Sequence, residues 1–223
     1  MRKRQKVFCI GNNKTGSTSM ERVLKDLGYR MPKQDKQESQ LVEEIHKGNY
    51  APLKALCKRY DAFQDLPFSQ SSIYAVADAL FPGSKFILTV RDSEKWFQSL
   101  VRFQLKTILK KAGVEKIEDF GEETFKDKAI YLHKNYMYNV VKRHAAYVDD
   151  NEVKHDWSLV YDRDHRIQVY EERNAEIVKY FQSRPDQLLV IDVTREKDNS
   201  RIIDFLGLPE KFIGPIPHLN KSK

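Results

Sequence analysis

Lys6–Gly28 reads KVFCIGNNKTGSTSMERVLKDLG, and the fold follows from how this stretch is read. Val7-Phe8-Cys9-Ile10 is an unbroken apolar run, the pattern of a strand buried on both faces. Met20, Val23, Leu24 and Leu27 fall at i, i+3, i+4 and i+7, the apolar stripe of a helix, and Gly28 stands where a helix C-terminus takes a left-handed residue. Between them lies Gly11-Asn12-Asn13-Lys14-Thr15-Gly16-Ser17-Thr18-Ser19. A strand, a glycine-bearing turn and a helix N-terminus together make an anion site, because unpaired backbone N–H groups and the positive end of the helix dipole converge on the turn. A phosphate-like or sulfate-like group is the expected occupant.

The turn is close to a Walker A loop, G-x-x-x-x-G-K-[ST], and departs from it in one informative way. Gly11 and Gly16 keep the glycine spacing and Thr18 the last hydroxyl, but Ser17 replaces the lysine and Lys14 appears three residues earlier. A nucleoside-triphosphate enzyme would lose its main β,γ-phosphate contact by this exchange. A donor with a differently placed anionic group would not.

Outward from this unit the chain alternates strands and helices. Asp61-Ala62-Phe63-Gln64 reads as a short strand ending at Asp65-Leu66-Pro67, Lys85–Arg91 as a second strong strand, and Leu188-Leu189-Val190-Ile191 as a third. Helices are expected over 38–46, 52–59, 72–80, from Asp92 or Ser93 onward, over 125–148 and 164–182, and around 200–206, with 31–36 and 149–158 as polar connections. The expectation is a single α/β domain with a P-loop-type parallel β-sheet flanked by helices and a mainly helical insertion or lid over about 107–182.

Composition bounds the reading. The 223 residues carry a net charge of +7, which suits an anionic ligand, yet the lysines are interspersed with acidic residues, so no nucleic-acid partner is expected. No apolar stretch approaches the roughly 20 residues of a membrane span, and the basic N-terminus runs straight into a short strand, unlike a signal peptide. Two cysteines, Cys9 and Cys57, suggest free thiols in a reducing compartment, and six histidines lack metal-ligand spacing. A cytoplasmic protein without a metal is expected, with His133 and His144 on a helix surface.

The second chemical signal is Arg91-Asp92-Ser93-Glu94-Lys95-Trp96-Phe97-Gln98-Ser99. Arg91 ends a buried strand, so its guanidinium emerges at the sheet edge, where its planar fork suits phosphate. Ser99 shares a helix face with Trp96 and Leu100; its hydroxyl either bonds the carbonyl one turn back or shares a phosphate with Arg91. With both signals in view, the chain resembles the sulfotransferases. Lys14-Thr15-Gly16-Ser17-Thr18-Ser19 is similar to their 5′-phosphosulfate-binding loop, K-[TS]-G-[TS]-T-[ST]. Arg91 to Ser99 is similar to their 3′-phosphate motif, R-[DN]-P-x-x-W-x-x-S, with Ser93 in place of the proline.

The resemblance implies a donor, 3′-phosphoadenosine 5′-phosphosulfate (PAPS), giving PAP, and an acceptor hydroxyl or amine on a small molecule or carbohydrate. It assigns the 5′-phosphosulfate to the amides and hydroxyls of Thr15, Gly16, Ser17, Thr18 and Ser19. Lys14 would neutralise the leaving phosphate, and Arg91 and Ser99 would hold the 3′-phosphate. Where cytosolic members place a catalytic histidine in H-L-P, this chain has Asp65-Leu66-Pro67, so Asp65 is the candidate base or, in the plainer reading, an Asx turn. His218, Asn220 and Lys221 are candidates to fold over the donor. Tyr131, Tyr136, Tyr138 and Tyr147 are candidates for an acceptor pocket. A small-molecule kinase and a non-catalytic nucleotide-binding protein of the same fold are the alternatives.

Overall fold

The three apolar runs and the short one at 61–64 all become strands of one sheet. The structure, a computed structural model, describes residues 4–217. The strands β1 (Val7–Cys9), β2 (Ala62–Phe63), β3 (Lys85–Thr89) and β6 (Leu188–Ile191) lie in the order β2-β1-β3-β6, every pair parallel. The chain gathers into two compact units. One comprises 1–91 and 174–223 and holds this sheet; the other comprises 92–173.

Alternate residues of each strand enter different cores, as the two-residue period of a strand requires. Val7 and Cys9 of β1, Ala62 of β2, Ile87 of β3 and Leu189 and Ile191 of β6 pack with Met20, Val23 and Leu24 of α1 (Ser17–Asp26) and Ile202 and Ile203 of α9 (Ser200–Phe205). Phe8, Ile10, Phe63, Phe86 and Leu88 pack on the opposite face with Leu41 of α2 (Gln34–His46), Leu53 of α3 (Ala51–Arg59), Ala77 of α4 (Ile73–Leu80) and Phe181. Register makes this second core aromatic. Phe8 pairs with both Phe63 and Phe86, and its ring stacks on theirs at centroid distances of 5.1 and 5.4 Å.

Local signals hold where they rest on a specific hydrogen bond. Gly28 takes φ 77°, with its N–H on Lys25 O and that of Tyr29 on Leu24 O, so α1 closes as a Schellman turn. Asp92 caps α5 (Ser93–Gln104), its carboxylate accepting from Lys95 N at 3.0 Å. The expected connection at 31–36 is shorter, since α2 begins at Gln34.

The second unit corrects the expected helix over 125–148. Asp127, Tyr131 and Asn135 all have positive φ, which interrupts helical hydrogen bonding, and the helix is confined to α7 (Tyr136–Ala145). The chain then forms an antiparallel hairpin, β4 (Ala146–Asp149) and β5 (Glu152–His155), rather than a polar connection. Its turn is Asp150-Asn151, both left-handed, the pair of conformations a two-residue type I′ turn demands. The unit also contains a π-helical continuation of α5 over Leu105–Leu109, a short α6 (Lys110–Ala112) and the first part of α8 (Arg163–Tyr180). His144 lies on α7 half-buried rather than exposed, and burial, then the charges of Arg166, His165 and Arg143, push its pKa down to about 3. His133 precedes α7 rather than lying on a helix.

The aromatic row across three strands is the mechanical centre of the first unit. Phe8→Ala is expected to cost about 3–5 kcal/mol, read as a lower midpoint in urea unfolding at unchanged slope. An exposed change such as Val148→Thr, on the 72 % exposed hairpin position, leaves the midpoint within experimental scatter.

Candidate functional site

Because β1 lies between β2 and β3 and all run parallel, their C-terminal ends share one edge. From that edge emerge the Gly11–Ser19 loop after β1, Asp65 after β2 and Arg91 after β3. The loop is shaped by close approach. A Cβ on Gly11 would meet Thr89 Oγ1 at 2.1 Å and Thr89 O at 2.3 Å, and one on Gly16, at φ 99°, would meet Val193 Cγ2 at 2.3 Å. Lys14 is itself left-handed at φ 74°. The N-cap of α1 is Gly16, which offers no side chain to cap it, and no acidic residue sits in the first turn to neutralise the helix N-terminus.

Thr15 differs from the sequence expectation. Its side chain is fully buried, with the hydroxyl donating to Asn12 O and lying 2.7 Å from Thr89 Oγ1. That hydroxyl fastens the loop to β3. Gly16 and Ser17 are half-buried, Thr18 is exposed and Ser19 buried.

Charge is concentrated here. Burial lowers the pKa of Lys14, repulsion from Arg91 lowers it further, and Asp65 opposes the shift. Arg91 Nη1 donates to Lys14 O at 3.4 Å, linking the third strand end to the loop. Two cations this close favour a polyanion between or beside them.

Asp65 is held from several sides. Its Oδ1 accepts from Asn13 Nδ2 at 2.6 Å and from Leu66 N at 2.9 Å. Asn13 Oδ1 accepts in turn from Ser69 Oγ at 3.1 Å. Gln37, 2 % exposed on α2, donates its Nε2 to Gln64 O and to Leu66 O, the carbonyls on either side of Asp65. This clamp fixes a left-handed residue, φ 59°, immediately before the cis Leu66–Pro67 peptide. Burial is the largest influence on the Asp65 carboxyl and raises its pKa, against the hydrogen bonds of Asn13, Leu66 N and Gln34; Glu21 adds to the rise. The Asx-turn reading fails: the carboxylate accepts from Leu66 N, the next residue, and Pro67, two residues on, has no N–H to donate. Asn13, Gln37 and Ser69 carried no sequence signal beyond being polar, since a buried amide in a helix leaves no periodic trace.

A family model described as a sulfotransferase domain matches residues 6–223. The chain belongs to the sulfotransferase family. No curated protein matches it. Membership makes the chain a transferase enzyme, and its α/β fold, a parallel four-stranded sheet flanked by helices, is that of a sulfotransferase domain. In the second unit Ser99 is buried on α5 beside Trp96 and Leu100, and Trp96 stacks on Tyr170 of α8 at 4.2 Å. Of the other candidates, Tyr136 is buried, Tyr131 and Tyr147 are exposed, and Tyr138 donates to Glu122 Oε1. His218, Asn220 and Lys221 lie outside the described residues. Among the described residues no helix is long and apolar enough to cross a membrane, and no group of three or more His, Cys, Asp or Glu side chains could hold a metal. Both cysteines are buried, and burial raises the pKa of each thiol, Cys57 to about 12.

The environment of Asp65 predicts a stability effect with a definite sign. A raised carboxyl pKa means the folded protein disfavours the charge, so ionised Asp65 destabilises it above the unfolded pKa of about 3.9. The penalty disappears when both states are protonated. Asp65→Asn keeps an acceptor for Asn13 and suits the left-handed backbone. Its melting temperature is expected to exceed wild type at pH 7, with the advantage gone near pH 3. Gly11→Ala, by contrast, must displace Thr89 and is expected to lower melting at every pH.

Proposed function

We propose that the enzyme transfers a sulfuryl group from PAPS to the hydroxyl or amine of a small-molecule or carbohydrate acceptor, with Asp65 as general base. The observation that carries this reading is the meeting, at one edge of three adjacent parallel strands, of a glycine-started helix N-terminus, two mutually repelling cations and a half-buried, hydrogen-bonded carboxyl. PAPS fits such a site because it brings several negative charges to it, and as substrate it supplies the sulfur–oxygen bond that is broken.

In this reading the amides of 15–19 and the hydroxyls of Ser17, Thr18 and Ser19 hold the 5′-phosphosulfate. Arg91 holds the 3′-phosphate together with Ser99, an assignment resting on the motif. Asp65 accepts the acceptor's proton as its oxygen or nitrogen bonds to sulfur. Lys14 stabilises the electron pair that stays on the departing 5′-phosphate oxygen, giving PAP. A charge aimed at that oxygen acts where negative charge grows in the transition state, so it accelerates the chemical step rather than only tightening binding.

Calorimetry tests the donor. PAP is expected to bind with saturable heat and a 1:1 ratio, and Arg91→Met to weaken PAP by more than it weakens adenosine 5′-phosphate. Lys14→Met is expected to lower turnover by about 10²–10³-fold. Tight binding of ATP with magnesium, indifferent to a 3′-phosphate, would instead make the protein a kinase-like nucleotide binder. PAP binding with no sulfuryl transfer to any acceptor, in wild type, would make it a non-catalytic member of the family.

A further inference from the structure

The donor reading leaves one buried cation without a task. Arg166, in the first turn of α8, is 7 % exposed, and its Nε and Nη1 atoms are buried with no hydrogen-bond acceptor among the described residues. Acidic residues are as plentiful as basic ones in the 92–173 unit, yet none of the described ones serves as its counter-charge. The polar groups around it are Tyr161, whose hydroxyl donates to Gln104, and His144 and His165, linked by His165 Nε2 to His144 O at 3.2 Å.

None of these supplies a negative charge. Burial raises the pKa of the Tyr161 phenol, so it stays neutral. His144 is held neutral as well. Arg166 is pushed down only to about 10 and keeps its charge at neutral pH. An uncompensated buried guanidinium is costly even after relaxation, and buried donors of this kind ordinarily have partners. A fold keeps such a group most economically where a ligand completes it.

We propose that Arg166 anchors an oxyanion-binding site within the helical unit, flanked by His144 and Tyr161, that takes a carboxylate, sulfate or phosphate ester. In the sulfotransferase reading the donor's own anions are already assigned to the Lys14 loop and to Arg91 with Ser99, so this site takes a different anion. Guanidinium suits planar and tetrahedral oxyanions through several parallel N–H donors, which a lysine does not reproduce.

The test is thermal melting of the full chain saturated with PAP, so that the donor's anion sites are filled. Inorganic sulfate and 4-hydroxyphenylacetate are titrated at low millimolar concentration against sodium chloride of equal ionic strength. Wild type is expected to show a saturable rise of a few degrees with at least one probe. Arg166→Met is expected to melt at or above wild type without probe and to show no saturable rise, while Arg166→Lys keeps part of it. General salting-out by sulfate acts on all three alike. A larger response to the phenolic acid makes the site one for carboxylates; one to sulfate alone makes it a site for tetrahedral oxyanions. Absence of a saturable response in wild type overturns the proposal without reference to any variant. So does an equal response in Arg166→Met, or a large loss of stability in it without probe. Failure to bind PAP would count against the donor reading, and the comparison with sulfate would still decide the role of Arg166.

Discussion

The parallel pairing of β1 with strands on both sides is the constraint on which the rest of the structure depends. Val7 pairs with Ala62 on one side and Lys85 on the other, and Phe8 with Phe63 and Phe86. Since the three strands point the same way, three chain segments distant in sequence must leave the sheet together. One brings the glycine loop, one Asp65 and one Arg91. The aromatic row at Phe63, Phe8 and Phe86 fixes the register a few residues before each of these groups. A slip of one residue would turn the rings to the opposite face and move every functional group with them.

The site built at that edge works against stability. Asp65 is ionisable but desolvated, Lys14 is pressed by Arg91, and α1 starts without a cap. Each feature would be improved for folding alone by a neutral or oppositely charged neighbour. Each is also what an enzyme needs to bind a polyanion and remove a proton. The polar clamp from Asn13, Ser69 and Gln37 holds this arrangement in one geometry, and it ties Asp65 and the loop together through a single amide. Arg166 repeats the theme in the other unit: a charge kept in place where packing alone would favour a methionine.

What the sequence disclosed was what leaves a pattern. Continuous apolar runs marked β1, β3 and β6, Gly28 marked the end of α1, and Asp92 marked the start of α5. The Lys14 loop and the Arg91–Ser99 spacing declared the family. Interactions that depend on distant partners left no pattern. Asn13 carried no signal beyond being polar in the glycine loop, and Gln37 none just ahead of the helix expected over 38–46, until β2 brought Asp65 between them. Thr15 looked like an anion ligand, but Thr89 takes up its hydroxyl. The helix expected over 125–148 failed because apolar residues at helical spacing outweighed the turn chemistry of Asp127, Asn135 and Asp150-Asn151, whose left-handed backbones break it.

The central claim is that Asp65 takes the acceptor's proton while Asn13 holds it ready. The most direct measurement is the pH dependence of kcat for wild type and Asn13→Ala. Asn13 favours the carboxylate form of Asp65, so removing it should raise the carboxyl pKa and move the acidic limb of the profile to higher pH, with turnover on the plateau reduced. An acidic limb at the same pH in both proteins would contradict the account.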